Sequence, residues 1–227
     1  GAGKTTTLKC IVGLRKKSAG EIELNGTFTY LPEEKRLYPY LKVKEIVSLF
    51  RKIGKNFHEE RSLEMLERYK IDLNEKVVNL SHGMRTILYL SLVLAEDVDL
   101  YILDEPTWGL DPLVRSDLLE HVRSLTYDGK AVLYTSHVLA EVEKIADKVA
   151  IMKEGRVILS GNLDDIKSSY KLVVSKDTLS GYLLRTLKSG EKVYLMRKEE
   201  IPENAQVEDA SFEDIFESIV RGEKDAH

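Results

Sequence analysis

One cysteine, Cys10, stands among 227 residues, so no disulfide can form within the chain. It falls in an expected helix, where a lone thiol packs as a small apolar group, and a reducing setting follows as the default. Also missing is any apolar run approaching the ~18 residues a membrane-spanning helix needs. Stretches such as residues 88–95 are far too short, so a membrane role would have to come through a partner. There is no basic excess either: 34 Lys and Arg against 38 Asp and Glu leave a net charge of −4. With the basic residues scattered, the electrostatic footprint of a nucleic-acid binder is absent. Internal repeats and low-complexity segments are lacking too. What remains, 43% hydrophobic and 32% charged, suits one sizeable core with a small appendage.

The chain begins Gly1-Ala2-Gly3-Lys4-Thr5-Thr6-Thr7, the second half of the phosphate-loop pattern G-x-x-x-x-G-K-[ST]. In that pattern consecutive backbone N–H groups at a helix start surround phosphates, the lysine reaches the β- and γ-phosphates, and the hydroxyl holds Mg²⁺. Gly3, Lys4 and Thr5 fit those roles in order. The leading glycine and the first core strand are expected before residue 1. By itself the half-pattern also fits an ordinary helix start, so the rest of the chain must decide.

Helical spacing over residues 5–14, closing near Gly13, is what should follow such a loop. Residues 20–24 and 27–31, separated by Asn25-Gly26, read as two strands. Between 38 and 70 the apolar positions Ile46, Leu49, Phe50, Leu63, Leu66 and Tyr69 recur at helical intervals, predicting a helical insert. Ser81 is a plausible N-cap for a strongly apolar helix over 86–95. Two buried-strand runs follow, 99–103 ending in Asp104-Glu105-Pro106 and 131–135 ending in Ser136-His137, with a helix over 138–145: a parallel α/β rhythm. Residues 149–152 and 156–159 flank Glu154-Gly155 as a hairpin. The more polar tail predicts strands at 171–174 and 192–196, a helix at 178–187, an irregular stretch at 202–207 and an amphipathic helix at 212–220.

A phosphate-loop enzyme needs a second element, a carboxylate fixed at the C-terminal end of a strand beside the loop. Asp104, after Tyr101-Ile102-Leu103, supplies it and would hold Mg²⁺ directly or through water. Glu105 suits a base that polarises an attacking water. Without the phosphate loop the pair reads equally well as two solvated carboxylates at a strand end. No base-recognition motif of the Asn-Lys-x-Asp type is present, which sets aside a phosphate-loop kinase or GTPase.

On these motifs the chain resembles the ATP-binding subunits of ABC transporters over residues 1 to 165. The segments Gly1 to Thr6, Leu31-Pro32-Glu33, Leu80-Ser81-His82-Gly83-Met84, Leu103-Asp104-Glu105-Pro106-Thr107 and Ser136-His137 stand in the family's order, and Trp108-Gly109-Leu110-Asp111 adds a sixth match. The resemblance implies an α/β fold: a phosphate-loop NTPase core with a RecA-like parallel sheet and an antiparallel subdomain. A helical subdomain at 34–95 would be inserted in that ATP-binding domain of residues 1–165, and residues 166–227 would form a small α+β C-terminal appendage. It further implies that Gly1, Ala2, Gly3 and Lys4 hold the phosphates of ATP, that Thr5 coordinates Mg²⁺, and that Thr6 approaches the α-phosphate. Asp104 would support the metal, Glu105 act as catalytic base, and His137 contact the γ-phosphate and help place the water. Ser81, His82 and Gly83 would face ATP bound on another subunit, with Asp111 at that interface. Hydrolysis then implies a homodimer, or a heterodimer with a related ATP-binding subunit. Taken singly, Ser81 is an ordinary helix cap, His137 a surface imidazole, and Asp111-Pro112 the start of a helix.

The departures from the family pattern are specific. His82 stands where the second signature glycine is usual and Met84 where glutamine is, a form that resembles exporters of drugs, sodium or peptides. Glu33, with Glu34 beside it, replaces the glutamine set against Mg²⁺ and the attacking water; a carboxylate can still bind metal and accept from water. Trp108 replaces a small residue and would either cover a dimer seam or pack within its own subunit. The 20–33 segment is shorter than the family's antiparallel arm, and the aromatic that stacks on adenine is expected before residue 1. Leu37-Tyr38-Pro39-Tyr40-Leu41 is a candidate docking surface for transmembrane permease subunits. The implied activity is ATP hydrolysis driving such a permease, in the direction of export, at the cytoplasmic face of the membrane and with no nucleic acid involved. The alternative is an ABC-type ATPase that works without a permease.

Overall fold

Tyr101, Ile102, Leu103 and Asp104 are all buried, the mark of a strand covered on both faces. In the computed structural model, which describes residues 1–54 and 56–222, this strand, β2 (Leu100–Asp104), runs between β1 (Phe28–Leu31) and β3 (Ala131–Thr135) and is parallel to both. Residues 4–137 make one compact unit, and residues 1–3 with 138–227 make another.

In the first unit, the register sets Leu31 beside Leu103 and Asp104 beside Thr135. The three carboxyl ends therefore finish level, where an open parallel sheet places its ligands. Around the sheet lie α1 (Lys4–Ile11), α2 (Val43–Ile53), α3 (Glu59–Arg68), α4 (His82–Leu94) and α5 (Pro112–Tyr127). Apart from half-buried Tyr89, α4 buries every residue from Thr86 to Leu94, as a helix apolar all round must. Of its two buried polar residues, Thr86 donates to His82 O at 3.1 Å, and Ser91 donates to Leu88 O at 2.7 Å and accepts from Ser62 of α3 at 3.2 Å. Upstream of β1, Asp99 Oδ2 accepts from both the N–H and the hydroxyl of Thr27, at 2.7 and 2.8 Å, pinning β1 to the start of β2.

Residues 20–24 are not a strand, contrary to the expectation. Among the described residues they have no neighbouring strand, and four of the five are exposed; Gly20 O accepts from Lys17 Nζ at 2.7 Å, and no ladder takes up the rest.

The second unit opens with Gly1–Gly3, and Ala2 O accepts from Gly155 N–H at 3.0 Å. Gly155 belongs to the turn between β4 (Lys148–Lys153) and β5 (Arg156–Asn162), where Glu154 and Gly155 both take positive φ, 51° and 78°, as a tight hairpin turn requires. Helix α6 (Leu139–Ile145) precedes this hairpin and α7 (Leu163–Ser168) follows it. A four-stranded antiparallel sheet ordered β7-β8-β6-β9 comes next, formed by β6 (Tyr170–Ser175), β7 (Tyr182–Thr186), β8 (Lys192–Arg197) and β9 (Gln206–Asp209). The closing helix α8 (Phe212–Gly222) carries Phe212, Ile215, Phe216, Ile219 and Val220 on one face, and Ile215 packs with Leu172, Val193 and Leu195. Ser211 and Asp214 exchange hydrogen bonds at its start, a capping box with aspartate in the usual glutamate place.

Two expectations fail in this tail. The helix expected over 178–187 is instead loop leading into β7, because hydrogen bonding to β8 overrides the helix preference of Leu183, Leu184 and Arg185. Gly181 permits it: a Cβ there would lie 2.4 Å from Met196 Cγ on β8. The stretch expected to be irregular over 202–207 enters β9 at Gln206, paired with Val174.

Candidate functional site

The strand ends of residues 4–137 gather the polar groups. Thr135, the last residue of β3, donates its hydroxyl to Asp104 Oδ1 at 2.6 Å. The other oxygen, Asp104 Oδ2, is buried and makes no hydrogen bond of normal geometry, and the same holds for the hydroxyl of Tyr30 on β1, which lies close enough to Asp104 to feel it. Burial first, and then the charges of Asp104 and Glu33, push the Tyr30 phenol up to about 12, so it stays neutral through the physiological range.

Glu105 follows with φ 46°, in the left-handed region that costs a non-glycine residue about 1–3 kcal/mol. Its N–H donates to Thr135 O and Oγ1 at 3.2 and 3.1 Å, which holds the turn. The turn aims the side chain inward, leaving the residue only 8% exposed. A carboxylate so buried needs partners, since an unpaired one would cost several kcal/mol. It has two. Oε1 lies 3.2 Å from Lys4 Nζ at the start of α1; Oε2 lies 2.8 Å from His137 Nδ1 and accepts from the His137 N–H at 3.3 Å. With Glu105 ionised, Nδ1 carries the proton and Nε2 is the free ring nitrogen.

Thr5 donates its hydroxyl to Glu33 Oε2 at 3.0 Å. Lys4, Thr5, Glu33, Asp104, Glu105 and His137, singled out from sequence, thus fall in one connected cluster. Three members carried no such signal. Lys35 donates to the backbone oxygen of Glu105 at 3.1 Å; burial lowers its pKa, against the pull of Asp104, Glu33 and Glu105. Tyr30 and Thr135 are the others. Thr135 was within reach, because aligning the ends of two parallel buried strands sets it opposite Asp104.

The remaining candidates lie elsewhere. Ser81 caps α4, accepting from Met84 N–H at 3.2 Å, and Asp111 caps α5, accepting from Leu113 and Val114 N–H at 3.1 Å each. His82 is exposed and meets the ring of Trp108 edge-on, with centroids 4.6 Å apart. Gly83 sits against the carbonyl of Gly109. Gly1, Ala2 and Gly3 belong to the other compact unit, and Thr6 is exposed.

Besides the His137 imidazole, the cluster's metal donors are oxygens: a buried carboxylate oxygen of Asp104, the Thr5 hydroxyl and Glu33. No group of three or more His, Cys, Asp or Glu capable of caging a metal exists among the described residues. That fits Mg²⁺, which takes one or two carboxylates and completes its shell with water and phosphate.

The sequence model of the ABC transporter family matches residues 1–108. An uncharacterised ABC transporter ATP-binding protein of Methanocaldococcus jannaschii is 31% identical over 222 residues, covering 95% of this chain and 84% of the relative. The chain belongs to the ABC transporter family. A Nod factor export ATP-binding protein I of Burkholderia orbicola is 38% identical over 178 residues, which are 71% of this chain and 59% of that protein. The matched region therefore spans less than two thirds of the Nod factor relatives' length. In fold, the chain is similar to a dimeric ATP-binding cassette solved in a post-hydrolysis state with ADP and Pi, at TM-score 0.64 and 22% identity over 71% of this chain and 81% of that one.

Proposed function

We propose that the chain is an ATP-hydrolysing subunit that binds Mg·ATP at the interface of a dimer and drives a transmembrane permease in the direction of export. The observation that carries this is Glu105, buried at the end of β2 on a left-handed backbone, with Lys4 on one oxygen and His137 on the other. Gly1, Ala2, Gly3, Lys4 and Thr6 bind the phosphates; Thr5, Asp104 and Glu33 hold Mg²⁺, which when bound neutralises charge on the β- and γ-phosphates. When phosphate takes over Lys4, Glu105 is freed to accept a proton from the attacking water, and His137, oriented through its Nδ1, helps to place that water and the γ-phosphate. Ser81, His82 and Gly83 present the start of α4 to nucleotide on the second subunit, with Asp111 beside it; a helix start favours anions. The second subunit is a copy of this chain or a related ATP-binding subunit.

In this reading residues 1–165 are the ATP-binding domain, 34–95 its helical part and 166–227 an appendage. The permease rests on the family and on the export named in the Burkholderia relative. No described helix is long and apolar enough to cross a membrane; in this reading the permease holds the chain at the cytoplasmic face. Tyr38 and Tyr40 are exposed, as a docking loop needs. Glu105→Gln tests the core of the proposal: it is expected to keep ATP binding, to slow phosphate release by about a hundredfold or more, and to trap an ATP-bound dimer. Undiminished phosphate release would sink the assignment, and recovery of the chain from mild-detergent extracts without any membrane protein would favour an ATPase that works without a permease.

A further inference from the structure

The turn that follows Glu105 is short and internally bonded. Trp108 N–H donates to Glu105 O at 3.3 Å, and Leu110 N–H donates to Thr107 O at 3.1 Å. Its outer edge lies on the first turn of α4 at three points. The imidazole of His82 stands against Gly109, where an added Cβ would come within 2.2 Å of Cδ2, so Gly109 leaves room for the ring. A Cβ on Gly83 would lie 3.2 Å from the Gly109 carbonyl, so the two backbones nearly touch. Trp108 then closes over His82 edge-to-face, at 4.6 Å and 85°. The tryptophan is 53% exposed, so it is not simply filling a core. Gly109, at φ 80°, is held in a conformation that a side chain would resist.

We propose that Trp108 and Gly109 are positioning residues that clamp His82, and through it the start of α4, to the turn carrying Glu105. Resting on the composite dimer site proposed above, this means that the carboxylate serving one nucleotide and the helix start serving the other move as one piece within a chain. His82 then does what glycine at that position could not: it gives the loop a side chain to grip.

The full chain carrying Glu105→Gln provides the assay, because ATP should drive its dimerisation without turnover; sedimentation velocity reads the dimer dissociation constant. Trp108→Ala is expected to weaken dimerisation about three- to tenfold, the weight of one edge-to-face pair. Trp108→Phe keeps an aromatic edge and should stay within about twofold of the parent. In a His82→Gly background, Trp108→Ala should add no further loss, since the two side chains act through one contact. Trp108 is the only tryptophan, so its emission reports this contact alone, and His82→Gly should raise its accessibility to acrylamide. A normal ATP-dependent dimer in Glu105→Gln combined with additive losses overturns the clamp and leaves the composite site standing. If Glu105→Gln forms no ATP-dependent dimer, the composite-site reading falls and the clamp falls with it.

Discussion

Where residues 4–137 end their parallel strands they bury Asp104, Glu105, Thr107 and Thr135, whereas the antiparallel sheet of residues 138–227 buries Leu172, Val173, Val193, Tyr194, Leu195 and Met196. The two units thus use their interiors differently. Burial of an ionised group is unfavourable unless each of its oxygens finds a partner, and Asp104 Oδ2 has found none. A fold optimised for stability alone would place leucine or valine there, as the second sheet does. In the proposed reading the polar strand ends of the first unit are where the chemistry is done, and the apolar sheet of the second, whose unit also buries Glu141 on α6 and Ser218 on α8, is where substitutions should be felt as stability.

The largest effect that would break this contrast lies at His137. Its side chain is 60% exposed but is one of the two partners of buried Glu105, so His137→Ala should lower stability by only about 1–3 kcal/mol, the weight of one charge-assisted hydrogen bond, while slowing phosphate release by about a hundredfold, the usual weight of one positioned acid–base group. A large drop in melting temperature with turnover preserved would reverse the reading. Ile215→Ala is the mirror experiment. Fully buried between α8 and the antiparallel sheet, Ile215 should cost about 2–5 kcal/mol in denaturant unfolding when truncated, with turnover per folded molecule kept.

Tyr30→Phe gives the smallest and most specific effect. The Tyr30 phenol titrates near 10 when unfolded and about 12 when folded, so its share of stability is complete below pH 10 and is lost as pH rises toward 12. Urea midpoints measured across that window should fall less steeply in Tyr30→Phe. The residual slope belongs to other groups that titrate there, among them Tyr69, Tyr89 and Tyr101, whose phenols burial also raises, and Lys35 and Lys130. Equal slopes would mean that burial and the neighbouring Asp104 and Glu33 charges do not raise the Tyr30 phenol.

Much of the first unit was legible because buried parallel strands and apolar helices leave strong one-dimensional signals. The runs at 99–103 and 131–135 became β2 and β3 within a residue, and Ser81 caps α4 as read. The acidic pair and the lysine stood out as residue types at strand and helix ends, whereas His137, an ordinary surface imidazole when taken singly, was picked out only by the family resemblance. Tertiary pairing is what the sequence hides. Residues 182–186 have a helix-like composition, and only the proximity of β8 makes them a strand. Conversely, 20–24 look like a strand and have no neighbour to pair with among the described residues. Lys35 escaped notice because its role depends on a backbone carbonyl seventy positions away, which no motif encodes.

The left-handed backbone of Glu105 carries a consequence for how this position can vary. Glycine would relax it, recovering about 1–3 kcal/mol, and would also remove a buried charge. Random substitution filtered for stability alone would therefore drift toward glycine and erase the carboxylate. Valine, isoleucine and threonine are closed off from the other side by their branched side chains. In the proposed reading the position has a narrow exit that leads to a sturdier but inert protein, so a screen for thermostable variants should recover Glu105→Gly among its inactive survivors.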